Sequence, residues 1–212
     1  DLAKEYADLN GDSLVNVSAE ERKKALVDYA LPKNIKKMQA DMEKYKIFYD
    51  KWFFESELHK SGAVKAVVDL LTKKGLTYEK EGAVWYKNKE VLTQKLLKEG
   101  KSQKYIDNLE LKDDVLIRQN GNPTYFTADI AYHKNKFDRG FTTLIDVWGA
   151  DHHGHVMRMK GAMDAIGYDG DKLNVVLMQL VKLVKDGELV RMSKRTGKAI
   201  QLGDLLDEVP VD

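Results

Sequence analysis

Val147-Trp148-Gly149-Ala150-Asp151-His152-His153-Gly154 is the stretch on which the fold turns. Leu144 to Val147 is an apolar run around Asp146 and reads as a strand. It empties into Gly149 and a carboxylate, and a helix is expected from about His155 to Ile166. Leu173 to Val184 is a second long, largely apolar strand candidate. Strand, loop, helix and strand in that order make a parallel α/β unit, where ligands bind as strand ends meet loops. Gly149 would let a flat ring approach the backbone, Asp151 could accept hydrogen bonds from a ribose, and His152 could donate to phosphate or ribose. His152, His153 and His155 are not assigned as metal ligands. Adjacent histidines point in different directions, and no nearby carboxylate or cysteine set completes a site.

The rest of the chain fits this reading. It has 212 residues, with 35 Lys and Arg against 34 Asp and Glu and a net charge of +1. No global basic field announces a nucleic acid partner, although a local patch would suffice. The absence of cysteine excludes disulfides and thiolate zinc sites and fits a reducing compartment. No apolar run approaches the roughly 20 residues that span a bilayer. The chain begins at Asp1 without Met and stops at Val209-Pro210-Val211-Asp212, so both ends read as cuts in a longer protein.

Ser18 and Glu21 form a capping box, and a helix is expected from there to about Leu31, where Pro32 breaks it. Ile35, Met38, Met42 and Tyr45 give a second helix over 33–45. Ile47-Phe48-Tyr49 and Trp52-Phe53-Phe54 read as a buried strand or its flank. Val64, Val67, Val68 and Leu71 mark an amphipathic helix ending at Gly75. Tyr78, Val84 to Tyr86, and Val115 to Ile117 read as strands, and Asn120 to Pro123 as a turn. Lys87, Lys89, Lys95, Lys98, Lys101 and Lys104 read as a solvated helical face in preference to an RNA-binding patch.

Two further stretches carry chemistry. Tyr125 and Asp129 are four apart, so in a helix that starts nearby both can face one cavity. A carboxylate beside an aromatic face is a receptor for a guanidinium, or Asp129 merely caps the helix. Residues 185 to 197 read Lys-Asp-Gly-Glu-Leu-Val-Arg-Met-Ser-Lys-Arg-Thr-Gly. A strand, an Asp186-Gly187 turn and a return strand deliver Met192, Ser193 and Lys194 onto a basic loop. Such a loop can close on a polyphosphate, or it is an ordinary basic turn.

Arg191-Met192-Ser193-Lys194-Arg195 resembles the Lys-Met-Ser-Lys-Ser loop of class I aminoacyl-tRNA synthetases. With Asp50 to Glu57, Glu81 to Trp85, Pro123 to His133, Val147 to Met159 and Val175 to Asp207, the chain resembles the bacterial-type arginyl-tRNA synthetases over nearly its whole length. That resemblance implies part of a doubly wound, parallel-sheet catalytic domain. Residues 1–60 would end its first half, 61–118 would be a connective insertion, and 119–212 would form the second half. It implies attachment of L-arginine to its tRNA through an arginyl-adenylate, with ATP and Mg2+, in a cytoplasmic monomer. Tyr125 and Asp129 would hold arginine. Gly149, Asp151 and His152 would meet ATP, and Met192, Ser193 and Lys194 would form the signature loop, with Lys194 on the phosphates.

There are departures. The loop starts at Arg191 and ends in Arg195 where the pattern has Lys and Ser, residues 87–110 are longer and more basic than the family's connection, and His152-His-Gly-His155 does not sit where the His-Ile-Gly-His signature belongs. That signature would lie before Asp1, so the chain alone is expected to be inactive. Rival readings are a class I synthetase for another amino acid and a nucleotide- or RNA-binding module without catalysis.

Overall fold

The computed structural model describes residues 2–185, 187–189 and 202–208. It divides into two compact units, Asp1–Trp52 with Leu183–Asp212, and Phe53–Lys182.

The first unit holds α1 (Leu2–Asn10) and α2 (Ala19–Lys44). It also holds α9 (Leu202–Glu208) and a short hairpin of β6 (Val184–Lys185) and β7 (Glu188–Leu189). The capping box forms as expected. The Glu21 amide donates to Ser18 Oγ at 3.2 Å, and the Ser18 amide donates back to the Glu21 carboxylate at 3.0 Å. Pro32, however, does not end the helix, and α2 runs through it as one element. Contacts with α1 span the proline on both sides. Tyr29 Oη donates to the Glu5 carboxylate at 2.8 Å, and Lys33 pairs with the same carboxylate. Tyr6 and Tyr29 meet edge to face at 5.1 Å. The local cost of Pro in a helix is thus overridden by packing outside the helix. The aromatic stretch 47–54 holds no strand either, and Phe48 is 74 % exposed. No described strand pairs with this segment, while Phe53 packs against the core and stacks on Tyr132 at 4.7 Å.

The second unit contains α3 (Glu55–Lys60), α4 (Ala63–Lys73), β1 (Thr77–Lys80), β2 (Ala83–Tyr86), α5 (Asn88–Lys98) and α6 (Gln103–Asn108). It continues with β3 (Asp114–Ile117), α7 (Tyr125–Asp138), β4 (Leu144–Gly149), α8 (His153–Ile166) and β5 (Leu173–Met178). Val64, Val67 and Leu71 of α4 are buried, as their spacing requires. β4 and β5 pair in parallel from Leu144↔Leu173 to Gly149↔Met178, with α8 as the crossover. The fold class is α/β. Val115 to Ile117 forms a strand as expected, and β3 joins β1 and β2 in a separate antiparallel sheet. Strand direction is decided by distant partners, which local alternation does not report. β5 is shorter than expected. Its ladder ends at Met178 because β4 ends at Gly149.

One core serves this unit. Leu71 of α4, Tyr86 of β2, Leu116 of β3, Ile130 of α7, Met159 and Met163 of α8, and Leu173 of β5 are all fully buried in it. Residues 61–118 therefore pack on the same core as α7, α8 and the parallel strands. Lys95 departs from the solvated face. It is mostly buried, and its Nζ donates to Asp164 of α8 at 2.7 Å.

Candidate functional site

The site is built where α7 begins. Thr124 caps the helix, and its hydroxyl accepts from the Thr127 amide. That hydroxyl also donates to the Val115 carbonyl at 2.8 Å, while buried Thr127 Oγ1 donates to the Leu116 carbonyl at 2.7 Å. The antiparallel sheet thereby fixes the first turn of α7. Tyr125 is the first residue of that helix and is 77 % exposed. Asp129 lies one turn further on. It does not cap the helix, because Thr124 does, so the capping reading of Asp129 is overturned.

The Asp129 carboxylate accepts a hydrogen bond from His155 Nε2 of α8 at 3.2 Å and stays half-exposed. The His155 ring lies edge-on to Phe126 at 5.6 Å and tilted against Trp148 at 5.2 Å. Trp148 sits at the end of β4, and the exposed His152 ring lies 6.4 Å from it. At Gly149 an added Cβ would fall 2.5 Å from Asp151 Oδ1, the end of an exposed side chain that would have to swing aside. Asp151 and His152 are both exposed, with His152 Nε2 3.8 Å from Asp151. The strand end and the start of α7 are thus joined through Trp148 and His155. Met192, Ser193 and Lys194 lie outside the described residues. Among the described residues no set of three or more His, Asp or Glu side chains could hold a metal ion. His153 and Gly154 line a different hollow of about 570 Å³ with Asn88, Asp114 and Arg158, apart from Tyr125, Asp129, Gly149, Asp151 and His152.

Beneath Asp129 lies a polar group that the sequence reading did not assign. Buried His133 places Nδ1 2.7 Å from the Asp129 backbone carbonyl and Nε2 2.5 Å from Asp146 Oδ2. Lys136 Nζ donates to Asp146 Oδ1 at 2.6 Å. Burial pushes the Asp146 carboxyl up, but the hydrogen bonds from His133 and Lys136 outweigh it and hold the group below the usual carboxylate range. Asp114 shows the opposite balance. Burial holds its carboxyl above the usual range although Arg158 pairs with it through Nε at 3.1 Å. Arg158 also lies over the Phe126 ring at 4.7 Å, bracing the start of α7.

Comparison with known proteins places this architecture. Residues 16–210 match the family of class I tRNA synthetases (R), catalytic domain. The chain is 54 % identical over its whole length to the arginine–tRNA ligase of Caldanaerobacter subterraneus subsp. tengcongensis, and covers 35 % of that protein. It is 51 % identical over 99 % of its length to the arginine–tRNA ligase of Ruminiclostridium cellulolyticum, covering 34 % of it. It therefore spans about a third of the length of these relatives. A solved chain from Campylobacter jejuni, described as an arginyl-tRNA synthetase, superposes with a TM-score of 0.76 at 35 % identity, over 98 % of this chain and 41 % of that one. The arginyl-tRNA synthetase of Thermus thermophilus shares the fold at a TM-score of 0.65 and 19 % identity, over 98 % of this chain and 38 % of that one. This chain belongs to the class I tRNA synthetase (R) family, and residues 16–210 are its catalytic-domain portion.

Proposed function

We propose that the full-length protein joins L-arginine to its tRNA by way of arginyl-adenylate. The observation that carries this reading is the Asp129 carboxylate, half-exposed and oriented by His155, one helical turn from the open Tyr125 ring. A planar carboxylate beside an aromatic face is complementary to a guanidinium, whereas a neutral amino acid would leave that charge unmatched. Gly149, Asp151 and His152, at the end of a parallel strand, are assigned to ATP. Met192, Ser193 and Lys194 are assigned from their sequence to the signature loop, with Lys194 on the phosphates.

The arginine carboxylate attacks the α-phosphorus of ATP in line, and pyrophosphate leaves. A hydroxyl of the tRNA then displaces AMP from the adenylate. No covalent protein intermediate is needed, so positioning and charge stabilisation carry the reaction. Mg2+ accompanies the ATP phosphates. The family resemblance assigns the protein to the cytoplasm as a monomer. No described helix is long and apolar enough to cross a membrane. Residues 1–60 are assigned to the end of the first half of the catalytic domain, 61–118 to a connective insertion, and 119–212 to its second half. The outward face of the parallel sheet exposes Ile145, Val147, Val176 and Met178. A doubly wound sheet is covered on both faces. Residues 1–212 alone are expected to form no adenylate, because the His-Ile-Gly-His signature that the resemblance implies is not among them.

The test is Asp129→Asn in the full-length enzyme. Arginine affinity should fall by on the order of 2–5 kcal/mol, the loss for one partner of a desolvated charge pair, with ATP affinity little changed. Unaltered arginine affinity would remove Asp129 from the site.

A further inference from the structure

Asp129 is held at both ends of the residue. His155 Nε2 grips the carboxylate at 3.2 Å, and His133 Nδ1 reaches the backbone carbonyl at 2.7 Å. The two histidines are linked through one aromatic ring. Trp148 meets His133 edge to face at 6.0 Å and lies 5.2 Å from His155. Asp129, His133, Trp148 and His155 thus close a ring of contacts between α7, β4 and α8. We infer that His133, anchored by Asp146, is a positioning residue for arginine, setting where Asp129 stands relative to the end of β4; this rests on the reading of Asp129 proposed above.

Three observations carry the inference. Asp129, His133 and Lys136 share one stripe of α7, at i, i+4 and i+7, and that stripe meets Asp146 of β4. His133 is 3 % exposed, and both of its ring nitrogens face acceptors, the Asp129 carbonyl and the Asp146 carboxylate. Lastly, Asp146 occupies an inward position of β4 between buried Leu144 and half-buried Trp148, where an aliphatic residue would pack without desolvating charge. Buried ion pairs are a poor route to stability compared with apolar packing of similar volume. What this one provides is direction, since hydrogen bonds fix angle and register where aliphatic contacts slide.

The test uses the full-length enzyme and two isosteres. His133→Asn keeps a donor where Nδ1 stands, and His133→Gln keeps one where Nε2 stands, so each breaks a different half of the bridge. Each is expected to raise the arginine KM about 10- to 100-fold, with the ATP KM changed by less than about 2-fold. In an Asp129→Asn background, either change should add little to the arginine KM, because His133 acts through Asp129. A parallel rise of the arginine and ATP KM values, or full multiplication with Asp129→Asn, would show that His133 only holds the fold and would overturn the inference. If neither His133 variant folds, Asp146→Asn carries the same criteria. The two readings fail separately. Asp129→Asn without effect on arginine sinks the site itself. An effective Asp129→Asn beside silent His133 variants sinks only the positioning role.

Discussion

Gly170→Ala tests the junction that places β5 beside β4. Gly170 opens the short 3-10 turn Gly170–Lys172 between α8 and β5. A Cβ there would lie 2.3 Å from the Lys160 carbonyl oxygen and 2.9 Å from both Lys160 C and Asp164 Oδ1. Ordinary contacts of this kind are well over 3 Å, so the turn must retreat by roughly 1 Å from a helix backbone that cannot yield. Forced overpacking costs roughly 1–3 kcal/mol. Retreat also pulls the Gly170 amide off Asp164 Oδ1, now at 2.7 Å, and strains the Lys95 contact to the other Asp164 oxygen, also at 2.7 Å. A hydrogen bond to a charged group contributes roughly 1.5–3 kcal/mol, so the expected loss is roughly 3–5 kcal/mol. Equilibrium urea unfolding of the chain, followed by tryptophan fluorescence, measures it. Gly154→Ala is the matched control, because its added Cβ meets nothing within 4 Å inside a helix. It should gain about 0.5–1 kcal/mol. A Gly170→Ala loss below about 1 kcal/mol, or equal behaviour of the two variants, would refute the steric reasoning.

Tyr86→Phe is expected to be neutral or to gain up to about 1 kcal/mol in the same assay. The Tyr86 hydroxyl is fully buried without a hydrogen-bond partner among the described residues, and burial pushes its pKa up. A loss above about 1 kcal/mol would mean that the hydroxyl is bonded. Asp146, held below the usual carboxylate range in the folded state, contributes stability that is complete above its unfolded value and is lost as pH falls through the lower folded value. The stability gap between wild type and Asp146→Asn should therefore be full above about pH 5 and shrink below about pH 4, and a gap unchanged by acid would contradict this. Lys194→Ala in the full-length enzyme should slow adenylate formation roughly 10²–10³-fold, with ATP affinity moved far less. Equal losses for Arg195→Ala and Lys198→Ala in pre-steady-state rates would replace a positioned cation by diffuse basic attraction.

Where the signal was local, the sequence was legible. Ser18 and Glu21 declare a helix start within one turn, and Val64, Val67 and Leu71 declare a buried face within two. The β4–α8 passage was readable because an apolar run, a glycine and a helical period follow one another without interruption. Where the deciding partner is distant, the reading failed. Nothing near Pro32 announces that Glu5 will brace Tyr29 and Lys33 across it. Lys95 looks like its exposed neighbours until Asp164, on another helix, takes its ammonium.

The candidate site lies between these cases. Tyr125 and Asp129 were found because one helical turn separates them, a spacing that local reasoning handles. His155 and His133, which hold Asp129 at either end, come from later on the chain and from deeper in α7, and no short motif links them. Yet two periods intersect at them. The strand alternation Leu144, Asp146, Trp148 turns a carboxylate inward, and a carboxylate in a core must find cations. The helical stripe that contains Asp129 also contains His133 and Lys136, the partners it finds. A buried acid in an apolar strand, read against the basic residues on the stripe of the preceding helix, is thus a signal for the group that orients a site, as distinct from the group that binds its ligand.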